Sequence, residues 1–157
     1  MSQRIIIASA LVGIFGVPAK ADETLKFRIV GHANSVQTQD VGDVDGHALV
    51  LARLSGLASF SDGSVATVYW TVQADYIKNA GPALAYVNVT FQDGSVLWYK
   101  APVSAKSDST NAGSVSVMGG KGRFEGAKGD GTVSGAAVGA RETGVNVYFD
   151  VVINIKK

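Results

Sequence analysis

The chain has two imidazoles, His32 and His47, and between them lie Asp43 and Asp45, in a stretch that reads "VGDVDGH" from Val41 to His47. Imidazole titrates near neutral pH, and with carboxylates beside it suits either proton transfer or metal binding. If His32 ends one strand and His47 begins the next, the return of the chain brings all four groups to one end of the fold. The competing reading is structural: Asp45-Gly46 is a turn signal, and the histidines sit on its rim. Without a short ligand spacing such as His-x-x-x-His, the sequence favours the turn, and no metal is expected. A calcium loop fails on position, because a turn glycine at Gly46 puts Val41 and Ala52 where carboxylates are required.

Glu125 is the third acid–base candidate, one of three glutamates in the chain. A desolvated carboxyl can move a proton. Its place beside Arg123 in a glycine-rich motif favours a structural pairing instead. No Gly-x-Ser-x-Gly elbow occurs, and the absence of cysteine removes thiol nucleophiles, thiolate metal sites and redox pairs.

The glycine-rich stretch "SVMGGKGRFEGAKGDGTVSG", residues 116–135, has three readings. A phosphate loop needs a following helix and a Gly-Lys-Ser/Thr ending, and neither is present. A linker would not carry Phe124, Val115, Val117 and Val133 at strand spacing. Glycines inside strands mark bends and close backbone approach, so the stretch reads as a coiled hairpin of a barrel wall.

The elements that position these residues follow from alternation. Residues Ala66, Val68, Trp70, Val72, Ala74 and Tyr76 form an apolar set, whereas Thr67, Tyr69, Thr71, Gln73 and Asp75 are mostly polar. The same split recurs from Ala48 to Phe60, from Ala83 to Phe91 and from Val145 to Ile155. Strands are predicted over 24–34, 47–60, 65–76, 83–91, 95–101, 114–118, 122–135 and 145–155. Two near-identical turns, "FSDGSV" and "FQDGSV", reverse the chain after Phe60 and Phe91, so Asp62 and Asp93 are turn formers.

Eight strands, each dry on one face, bury those faces by closing into an antiparallel up-and-down barrel, which also removes sheet edges. The inner set is rich in Ala and Gly. Small inward residues leave room for an apolar cavity, which Trp70, Tyr76, Phe60 and Phe91 would line; alternatively they fill the taper of a solid barrel and those aromatics are its core. Trp98, Tyr99, Tyr69 and Tyr86 are left to rim a mouth or form a subunit contact.

Residues 1–21 stand apart. Arg4, the apolar run Ile5 to Val17, Pro18 and the Ala19-Lys20-Ala21 pattern read as a secretory signal peptide, leaving 22–157 as one barrel domain. The run is shorter than the roughly 20 residues of a membrane anchor, so no integral span is expected after cleavage. Removing Arg4 and Lys20 leaves 12 basic against 13 acidic residues, a net charge of −1, and nothing favours nucleic acid. A cysteine-free exported domain suits a periplasm.

The segment "SVMGGKGRFEGAKGDG" resembles the Gly-Gly-x-Gly-x-Phe-x-Gly-x-x-Gly hairpin of the allene oxide cyclase-like barrels, which include the dirigent proteins. More weakly, "VGDVDGH" is similar to the "LGDLVPF" segment of the plant cyclases. Together the two matches span about a sixth of the mature chain. The resemblance implies an eight-stranded antiparallel barrel with a largely apolar cavity, and no cofactor. The plant cyclases use a glutamate on the first strand and an asparagine on the second. Here "LKFRIVGHANSV" holds no glutamate, and Leu49 stands where the asparagine would be, so allene oxide cyclisation is not implied.

Three functions are therefore carried forward. The first is a secreted or periplasmic barrel that binds a small apolar or amphipathic molecule without transforming it. The second is a cofactor-independent cyclase or isomerase, with His32 or Glu125 assisting. The third is a structural barrel, since related barrels often assemble as homo-oligomers.

Overall fold

The computed structural model describes residues 22–139 and 144–156; the expected signal peptide lies outside them. The described residues form β1 (Glu23–Asp40), β2 (His47–Phe60), β3 (Val65–Ile77), β4 (Gly81–Thr90), β5 (Val96–Ala105), β6 (Thr110–Lys121), β7 (Lys128–Val138) and β8 (Asn146–Lys156), with a short 3-10 turn at Gly122–Phe124. Each strand pairs antiparallel with the next, and β8 returns to β1, closing the barrel. Closure follows from the alternation: Ala66, Val68 and Trp70 on β3 are buried, while Val65, Thr67 and Tyr69 between them are exposed.

The interior is built in belts, each set by strand register. At the base, rings of Phe27, Phe60, Phe91 and Phe124 touch in sequence, with centroids 5.0, 5.5 and 5.0 Å apart. Above them Leu54 faces Trp70, Trp70 faces Val87 and Val87 faces Tyr99. The next belt is small: Ala52 faces Val72, Val72 faces Ala85 and Ala85 faces Ala101. Large residues below and small ones above leave the barrel filled at one end and hollow towards the other.

The repeated turns build the filled end. In both, the glycine alone takes positive φ (Gly63 +84°, Gly94 +80°), not the aspartate before it. The aspartate instead accepts from the amide two residues on, Ser64 to Asp62 at 2.9 Å and Ser95 to Asp93 at 2.8 Å. Each turn thus returns the chain directly after a base phenylalanine.

Several elements differ from the sequence expectation: β5 runs on to Ala105 rather than 101, and β6 covers Thr110–Lys121 rather than 114–118. β1 runs six residues beyond the predicted end, because a bulge between Ala33 and Ser35 restores the inward phase for Val36 and Thr38. Residues 122–127 are not strand: Gly122 and Gly126 take positive φ, and the 3-10 turn drives Phe124 into the base. The hairpin between β3 and β4 turns on Lys78 and Asn79, both at positive φ, a two-residue loop written without glycine in its centre.

Candidate functional site

The hollow end holds a cavity of about 350 Å³. Its wall is Ala, Val and Leu from the belts described above, with Trp70, Tyr76, Tyr99 and Phe149 as the aromatic members. Its mouth is formed by the loops after β1, β3, β5 and β7, where Gly46, Asn79, Lys106, Ser109 and Gly139 reach it. Among the described residues Lys106 is the one charged side chain in that lining. The site is therefore apolar within and polar at the rim, the arrangement that suits a small organic molecule with one wet end. A shallower hollow of about 760 Å³ lies on the outer wall beside Gln37, Gln39, Leu49, Leu51 and Gln73; it opens widely to solvent and lacks the enclosing belts.

The sequence candidates divide between these locations. Trp70 and Tyr76 line the cavity. Phe60 and Phe91 lie in the base, where each touches two other phenylalanines. Glu125 is exposed at the filled end, and Arg123 there stacks over Phe91 and Phe124 at 4.4 and 4.8 Å and approaches Asp93 at 4.0 Å. Tyr69 and Tyr86 face outward and exposed. Tyr99, grouped with them by the sequence, points inward instead. Leu97, Tyr99 and Ala101 are all buried, a phase that the neighbouring Trp98 obscures.

The two histidines do not meet. His32 pairs with Ser55 of β2, eight residues along from His47, roughly 25 Å of strand. His32 Nδ1 bonds Asn146 Oδ1 at 2.9 Å on the outer face. His47 is clamped between two carboxylates, Nδ1 to Asp43 at 2.6 Å and Nε2 to Asp75 at 2.8 Å, while Asp45 faces Lys78 at 3.6 Å. Among the described residues no group of His, Asp and Glu is placed to hold a metal ion.

That clamp fastens the β1–β2 loop to β3 beside the mouth. Hydrogen bonds donated to Asp75 and Asp43 raise the His47 pKa above its ordinary 6.5, and the bond accepted from His47 lowers that of Asp43 below 3.8. A raised imidazole stabilises the fold fully below pH 6.5 and loses that contribution as pH rises through its folded value; the lowered carboxyl contributes fully above 3.8 and fails as pH falls. The melting temperature should therefore fall between about pH 6 and about pH 8.5. In His47→Gln that slope should flatten, as a thermal melt at the two pH values will read.

Such a closed antiparallel barrel, solid at one end and apolar and hollow at the other, defines a dirigent-like fold. Solved structures agree. The pterocarpan synthase dirigent protein GePTS1 superposes with a TM-score of 0.57 at 14% identity, over 90% of this chain and 90% of that one. The pterocarpan synthase dirigent protein PsPTS1 gives 0.59 at 12%, over 88% and 97%. A conserved protein of unknown function from Rhodopseudomonas palustris gives 0.53 at 10%, over 87% and 99%. No family model and no curated protein matches the chain. The fold is the dirigent-like, allene oxide cyclase-like barrel.

Proposed function

We propose that the protein is an exported barrel that takes a small apolar or amphipathic molecule into its interior. The observation that carries this is the cavity of about 350 Å³, enclosed by apolar side chains and open at a polar mouth. Burial of apolar ligand surface against such walls supplies the driving force. The acid–base candidates give chemistry no purchase there, since His47 and His32 bond on the outer wall and Glu125 lies at the opposite end. Export rests on the leader sequence, and β1 begins at Glu23, two residues after the expected cut.

The neutral fluorophore N-phenyl-1-naphthylamine tests the reading. Its emission should rise on binding, and Ala85→Phe, which puts a ring into the small belt, should weaken binding at least about tenfold. Equal binding by both proteins would place the probe elsewhere and refute an interior site.

A second reading, a cofactor-independent cyclase or isomerase, is favoured by one fact: two structural neighbours are pterocarpan synthases. Fold likeness does not by itself carry a reaction. In that reading the wall would act by holding a reactive substrate in one geometry, which needs few catalytic groups.

A further inference from the structure

At the floor of the cavity two polar atoms have no hydrogen-bond partner among the described residues. Tyr99 and Trp70 flank Val87 in one belt, Trp70 opposite Val87 and Val87 opposite Tyr99. Tyr99 is 2% exposed and Trp70 6%. Neither the phenol hydroxyl nor the indole N–H has a hydrogen-bond partner among the described residues. Among the described residues no side-chain nitrogen or oxygen is both sealed off and unpartnered. These two atoms therefore open into the cavity that both side chains line.

A deeply buried hydroxyl with no protein partner costs stability that phenylalanine, of nearly the same shape, would not. Nothing in the packing of the barrel calls for it, so the group points to a ligand. We propose that the Tyr99 hydroxyl donates a hydrogen bond to an acceptor oxygen, a carbonyl or an ether, on the inner end of a neutral apolar ligand, with the Trp70 N–H a second donor into the same cavity. The inference rests on the reading that the cavity binds a small molecule, and names what that molecule carries. Burial pushes the Tyr99 phenol well above its ordinary value of 10.0, so it keeps its proton and can donate. A carboxylate at the same depth would be desolvated without a counter-charge among the described residues, whose one cation in the lining, Lys106, stands at the mouth. The intervening Ala and Val belts require an apolar body.

Two probes of matched shape separate the hydrogen bond from the burial: 2-acetylnaphthalene, and 2-isopropenylnaphthalene, in which CH2 replaces the carbonyl oxygen. Calorimetric titration of the wild-type chain and of Tyr99→Phe should show the ketone weakened about tenfold by the substitution and the hydrocarbon unchanged. Ligand-free Tyr99→Phe should melt about 2–4 °C higher than wild type, since it loses an unpaired buried hydroxyl. If the ketone and the hydrocarbon respond alike to the substitution, the hydrogen bond is refuted while the cavity reading survives. A lower melting point of the free variant would also overturn it, by showing that the hydroxyl serves the fold. Failure of the wild type to bind either probe would sink the cavity reading, and this inference with it.

Discussion

Phe124→Ala should destabilise the protein by about 3–5 kcal/mol, the cost of deleting a fully buried aromatic ring. Phe124 is wholly inaccessible to solvent and ends the run of base rings, 5.0 Å from Phe91. It enters the base from a 3-10 turn rather than from a strand, so the wall around it cannot close by sliding one strand. The void would therefore persist, and a persistent void is what makes such truncations expensive. Against a typical total of about 5–15 kcal/mol the loss is large, and it should lower the melting temperature by about 10–20 °C. Arg123 would lose one of its two ring partners as well, since it stacks over Phe124 and Phe91. A melting temperature within a few degrees of wild type would show that the turn at 122–127 does not close the base.

The second large effect is expected at Gly131. Its backbone is ordinary, but a Cβ there would collide with the Val152 carbonyl of β8 and lie 2.9 Å from the Ile153 Cα. Both are backbone atoms of the paired strand, so relief requires breaking part of the β7–β8 ladder. Gly131→Ala should cost about 3 kcal/mol, the upper end for overpacking a tight interior, as a urea titration will read. Gly126→Ala supplies the control. Gly126 takes φ +71° with nothing within 4 Å of the added carbon, so only backbone strain is at stake, about 1 kcal/mol. If the two substitutions cost the same, close strand approach is not what the β7 glycines provide. The same approach recurs at Gly129 and Gly135 on β7, which lets that strand coil tightly enough for the barrel to shut.

The glycine-rich stretch that in sequence could be a cradle, a linker or a wall thus does two jobs. Its first half turns the chain and plugs the base with Phe124; its second half lets β7 lie close against β8.

Much of the architecture was legible because strand alternation is a local property. A side chain's inward or outward direction repeats every second residue, so the dry sets on β2, β3, β4 and β8 could be read without knowing their partners. The Asp-Gly turns were equally local, and β2 occupies the predicted residues 47–60. The failures came where phase changes. The bulge near Asn34 and the break at Gly122 each shift which residues face inward, and the strands across from them, rather than the local composition, determine that shift.

The candidate site was less legible, because proximity depends on register around the whole barrel. The sequence placed Trp70, Tyr76, Phe60 and Phe91 on one apolar face without saying at what height. Pairing of β2 to β3 and β3 to β4 sets Trp70 and Tyr76 along the cavity, and the two repeated turns put Phe60 and Phe91 at the base. His47 found Asp75, 28 residues away, only because β2 and β3 pair. By itself, the sequence determined an all-β chain with one dry face per strand and the turns that return it. Only the tertiary structure decided which end is filled, where the cavity lies and that the Tyr99 hydroxyl opens into it unpaired, since burial and hydrogen-bond satisfaction depend on residues distant in sequence that meet when the barrel closes.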